Sequence, residues 1–166
     1  IHRRLVGSEM CIRDRFTIKH NQSANRNKMI DIKKANQYIE SKLEQPFAWG
    51  TNDCNTFIVE YFDKVLGTDL LKIIYKKYSD KEGAIEFQKK FGQRISGRCL
   101  ELGFVEYHPT KAIFGDILVK HNDNWDSCHI CIGSKMASVD ETIGTAILPI
   151  ADFNFFDSAY RLRNEN

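Results

Sequence analysis

The chain of 166 residues carries 24 basic and 22 acidic side chains, a formal charge of +2, with 42% hydrophobic and 28% charged residues. That length supports one self-sufficient core, and that composition describes a globular chain rather than a disordered one. No apolar run approaches the roughly 18–20 residues that span a bilayer. No concentrated basic run follows residue 15, so neither a membrane-spanning helix nor a nucleic-acid surface is expected.

Residues 1–15, IHRRLVGSEMCIRDR, are basic but lack the apolar core of a signal peptide. They resemble a translated sequencing-adapter segment found at the ends of unrelated sequences. Residues 1–28 are therefore expected to be a non-native or disordered segment, and 29–166 a single domain beginning near Met29. With Cys11 set aside, Cys54, Cys99, Cys128 and Cys131 remain. Their uneven spacing, in a domain large enough to need no staples, makes reduced thiols the expectation.

Residues 31–44 predict a helix with Ala35, Tyr38, Ile39 and Leu43 near one face. Pro46 breaks it, and Phe47, Trp49 and Gly50 form an aromatic loop. Asn52 or Asp53 then caps a second helix, in which Cys54, Phe57, Ile58, Tyr61, Phe62 and Val65 recur at helical spacing up to Gly67. Further helical pieces fit residues 69–77, 80–91 and 95–104. After residue 112 the pattern changes. A Gly115-Asp116 turn leads into the strand Ile117-Leu118-Val119, and 121–127 reads as a polar hairpin loop in which Asp123 and Asp126 are solvated. Strands follow at 128–132, 135–139, 143–148 and 159–163. Helices followed by a meandering antiparallel sheet make an α+β fold.

Cys54 opens a helix, where free N–H groups and the helix dipole favour a thiolate. A buried structural cysteine fits the same apolar stripe, so position alone leaves both readings open. His129 lies in an apolar strand, where an imidazole needs a partner. Alternation puts Cys128, Ile130 and Ile132 on one face and His129, Cys131 and Gly133 on the other, leaving room for a ring aimed at another element. A satisfied structural histidine is the competing account.

The ordered set AWGTNDCNTF, FGDILV and CHICIG resembles the NlpC/P60 superfamily of papain-like cysteine peptidases, and more closely a phage-associated, uncharacterised branch (DUF6950-like). The resemblance covers roughly residues 45–150. It implies a papain-like α+β domain with N-terminal helices packed on a small antiparallel sheet, Cys54 as nucleophile and His129 as its base. Ser138, with Asp140 two residues on, is the nearest match to the third member that orients the imidazole. Trp49 and Asp53 would line the substrate groove or oxyanion region together with Asp140, and Gly50 would let a substrate backbone approach. The implied activity is hydrolysis of amide bonds in peptidoglycan peptides, with acyl transfer or an inactive phage assembly protein of the same fold as alternatives. Phage tail or lysis components would deliver such a protein, soluble in the virion or the host cytoplasm.

Two departures stand out. Family members carry Ser or Ala and then Gly after the nucleophile, where this chain has Asn55-Thr56, and neither Ser138 nor Asp140 is a usual orienter. No cofactor is needed for such chemistry. Cys128 and Cys131 have zinc-like spacing, but an extended strand turns them to opposite faces, so no metal is expected. There is no phosphate-loop sequence.

Overall fold

The computed structural model describes residues 29–91 and 94–163. The segment 1–28, expected to be non-native or disordered, lies outside the described residues.

Helix α1 (Ile32–Lys42) is capped by Asp31, whose carboxylate accepts from the Lys33 and Lys34 N–H groups, and it buries Ala35, Tyr38 and Ile39. Helix α2 (Cys54–Leu66) begins at Asp53 and ends at Gly67, which takes the left-handed conformation at φ +71°. Its Phe57, Ile58, Tyr61 and Phe62 are completely buried, each worth about 1.5–3 kcal/mol of transfer free energy.

The helix expected over 69–77 is reduced to one turn, α3 (Leu71–Ile74). Asp63 accepts from the Leu70 and Leu71 N–H groups at its start. At its end Lys76 takes a left-handed φ of +58°, and its N–H leaves for the Gly50 carbonyl. Helices α4 (Lys81–Phe91) and α5 (Ile95–Glu101) follow.

The helix expected over 95–104, ending near Gly103, stops at Glu101; Gly103 at φ +89° turns the chain, and Phe104 opens strand β1 (Phe104–Tyr107). The remaining strands are β2 (Ile117–His121), β3 (Asp126–Ile132), β4 (Lys135–Asp140), β5 (Gly144–Pro149) and β6 (Ser158–Leu162). They form a six-stranded antiparallel sheet in the order β1-β6-β2-β3-β4-β5. The fold is α+β, with a wider sheet than the small one expected.

Alternation along the strands divides the sheet into two faces. Ile117, Val119, Cys128, Ile130, Ala137 and Val139 join the core built with the helices. Leu118, Cys131 and Ala159 belong to a second, smaller cluster closed by Phe156 from the segment between β5 and β6. Among the described residues no helix is long and apolar enough to cross a membrane.

Candidate functional site

Asp53 fixes where α2 begins. One carboxylate oxygen accepts from the Asn55 and Thr56 N–H groups at 3.0 and 2.9 Å, the other from the Gly50 N–H at 2.7 Å. Thr56 Oγ1 answers by accepting from the Asp53 N–H at 2.9 Å, a reciprocal capping box. The Asn55-Thr56 pair that departs from the family pattern thus has a local reason in Thr56.

Cys54 is the first helical residue and half-buried. Helix α2 lies across β3 and β4, and the Cys54 thiol rests on the β3 main chain, with the Asp126 carbonyl as acceptor at 4.0 Å. Burial, with the Asp53 carboxylate adding to it, pushes the thiol up to about 12, while N–H groups of Cys128, Cys54 and Asn55 pull the other way. At neutral pH the sulfur is protonated. Its neighbours at the helix tip include three backbone donors, which favour any negative charge that forms there.

The hydrogen bond of His129 goes to Ser138 and that of the thiol to the Asp126 carbonyl. His129 pairs across β2 with Leu118, on the sheet face away from the helices. Its ring stacks edge-on against Phe156 at 5.6 Å between centroids, and its Nδ1 is 2.7 Å from Ser138 Oγ. The His129 and Ser138 side chains, expected to work together, are thus in hydrogen-bond contact, next along β3 to the main chain on which the Cys54 thiol rests. Burial lowers the imidazole to about 4, so it is neutral across the physiological range. A groove of about 450 Å³ opens on this outer face, lined by Met136, Pro149, Ile150, Phe155 and Phe156.

The other expected site residues also make contacts within the fold. Trp49 packs edge-on against Phe47 at 4.9 Å. The close approach at Gly50 is occupied by the chain itself, since a Cβ there would come within 2.0 Å of the Tyr78 carbonyl oxygen. Asp140 accepts from the Thr142 and Ile143 N–H groups and closes the β4–β5 turn.

Asp126, expected to be solvated, is 1% exposed. Its carboxylate accepts from the Ser96 N–H at 3.0 Å and meets Arg94 at 3.3 Å and His121 Nδ1 at 2.8 Å. Hydrogen bonds from His121 and Ser96 hold it below the usual carboxylate range, overcoming the opposing effect of burial. Two of these partners, Arg94 and Ser96, lie some thirty residues upstream, beyond any local pattern. Tyr78 also escaped sequence reasoning, which placed it between two helices; it is buried, with Asp53, Cys54 and Asn55 acting on its hydroxyl.

Cys54, Cys99, Cys128 and Cys131 are unpaired thiols. Among the described residues no group of three or more His, Cys, Asp or Glu side chains is arranged to hold a metal.

A model of a domain of unknown function, DUF6950, matches residues 28–160. The chain belongs to the DUF6950 family. The match takes in every helix, strands β1 to β5 and most of β6, so the Cys54 helix and the His129 strand both lie inside the family domain. No curated protein matches this DUF6950 chain.

Proposed function

We propose that this DUF6950 chain performs slow thiol-dependent acyl chemistry on amide bonds, with Cys54 as nucleophile. The supporting observation is the sulfur at the first turn of a thirteen-residue helix, half-open and flanked by the N–H groups of Cys54, Asn55 and Cys128. Those donors suit both a thiolate and the oxyanion of an attacked carbonyl. The reading extends to a papain-like NlpC/P60 fold and to cell-wall peptides as substrate, on the strength of the resemblance in the Asp53-Cys54, Gly115-Asp116 and CHICIG segments. Attack on the amide carbonyl gives an acyl-enzyme and releases the amine; water or another acceptor then takes the acyl group. With the thiol held protonated by burial and the His129 ring engaged by Ser138, the thiol proton goes to a solvent base, and turnover is low.

The test is incubation of the protein and its Cys54→Ala variant with defined muropeptides, with products identified by mass spectrometry. Cleavage by the wild type alone supports the reading. Folded wild type that leaves both D,L and L,D bonds intact removes the substrate class, and equal cleavage by Cys54→Ala removes the nucleophile.

A second reading is a phage assembly protein that keeps the fold without turnover. The observation favouring it is that burial keeps the Cys54 thiol protonated, with main-chain groups of Asp126 and Cys128 among its partners, while the His129 ring is engaged by Ser138 and Phe156. It expects Cys54→Ala to leave every interaction of the protein intact.

A further inference from the structure

We propose that the outer edge of β5 is a docking site for a short extended peptide, which joins the sheet beside Ile147 as a further strand. The inference does not depend on the Cys54 reading. Strand β5 lies at the edge of the sheet and pairs with β4 alone among the strands. In an antiparallel ladder alternate residues spend both main-chain groups on the neighbouring strand, and the residues between them turn both groups away. Thr145 is of the second kind. Its N–H donates to the Gln45 carbonyl at 2.9 Å, and its carbonyl accepts from the Glu44 N–H at 3.0 Å. Ile147, two residues on, turns its N–H and C=O the same way, and no described residue meets them. Ile147 is also 40% exposed.

Natural sheets blunt such edges with charged side chains, proline or bulges. The β5 segment GTAILP carries no charge, and only Pro149, which has no N–H, closes its far end. At the near end the chain's own Glu44 and Gln45 fill the lane opposite Thr145. The vacancy is thus bounded on both sides. That suits a short peptide and blocks the longer ladder that two β5 edges would build between copies. The edge is also rigid. Asn52 Nδ2 donates to Thr145 Oγ1 at 3.1 Å, and a Cβ on Gly144 would come within 2.3 Å of the Gln45 carbonyl oxygen. A preorganised edge loses little freedom when a strand is added to it.

A peptide residue set opposite Ile147 accepts from its N–H and donates to its C=O. The side chain of that residue lies beside Ile147 and Ala137 on the helix side, while its neighbours turn theirs to the outer face. There Met136, Pro149 and Ile150 line the apolar groove of about 450 Å³. The ligand is therefore an extended peptide whose residue on the Pro149 side is apolar.

The test titrates acetyl-Leu-Val-Leu-amide, whose two leucines serve either strand direction, into the full chain and follows amide hydrogen exchange by NMR. The expected result is exchange at the Ile147 N–H slowed about tenfold or more at saturation, with Ala146 and Leu148, which face β4, unchanged. Methylating the peptide's central nitrogen removes the donor that meets the Ile147 carbonyl and should weaken binding about tenfold. Equal affinity of the methylated peptide reduces the contact to apolar adsorption in the groove and overturns the proposal. An Ile147 amide that exchanges at one rate with and without millimolar peptide overturns it too. Protection of Ile147 that rises with protein concentration in the absence of peptide gives the edge to a second copy and likewise overturns it.

Discussion

At Cys54 two influences compete, and burial wins over three backbone donors. The thiolate fraction at neutral pH is therefore small, and alkylation of Cys54 by iodoacetamide should rise about tenfold per pH unit from pH 7 to 10. A plateau between pH 6 and 8 would mean that an imidazole reaches the sulfur and would overturn the face assignment of His129. His129 itself links stability to pH. Its pKa falls from 6.5 to about 4 on folding because the buried ring disfavours charge. The unfolded chain thus binds the extra proton first. The contribution is fully present above pH 6.5 and is lost as pH falls toward 4, on the order of 3 kcal/mol. Urea titrations at pH 7 and 4.5 should show this loss, and His129→Gln should flatten it. An equally steep fall in the variant would assign the acid sensitivity to other groups.

Helix α2 depends on Asp53 more than on any other described polar residue at its start, since that carboxylate serves Gly50, Asn55 and Thr56 together. Asp53→Ala is expected to cost about 3 kcal/mol, a lost cap plus a stranded buried N–H, measured as a fall in the urea midpoint. Thr56→Val, which keeps shape and loses the reciprocal bond, should cost about 1 kcal/mol; a larger loss than for Asp53→Ala would place the clamp in Thr56. This element was legible in advance: the Asn52-Asp53 cap, the stripe from Cys54 to Val65 and Gly67 are all local signals. Strand β1 was not. Its four residues pair only with β6, which lies more than fifty residues further along the chain, and nothing within FVEY distinguishes an edge strand from a frayed helix end. Alternation along β3 was also readable, and it separates Cys128 from His129 as expected. Which of those faces the helices would cover depends on tertiary packing and has no local signature.

Across the whole molecule, one ion pair ties the last strand to the start of the central hairpin. Arg161 on β6 meets the nearly buried Asp116 through Nε at 3.0 and 3.1 Å and through the Nη2 donor at 2.8 Å. The same guanidinium donates to the Lys111 carbonyl at 2.6 Å and lies over the Tyr107 ring. Removing it leaves a buried carboxylate short of partners, so Arg161→Met should cost about 3–5 kcal/mol in a denaturant titration. A loss under 1 kcal/mol would mean that the Ile113 N–H, 2.9 Å from the same carboxylate, suffices alone. The Gly115-Asp116 turn was visible in the sequence, but its arginine, 45 residues away, was not. The two-faced sheet has a last consequence, which is one of parity. Along β3 the even-numbered Asp126, Cys128 and Ile130 look toward the helices, and the odd-numbered His129 and Cys131 look away. One residue added to the turn before Asp126 would change odd to even along β3 and carry Cys128 and Ile130 out of the core, so the apolar set on the helix side holds the register. The place of His129 beside Ser138 and Phe156 is thus fixed by the count of residues between the hairpin turn and the core, and not by the imidazole itself.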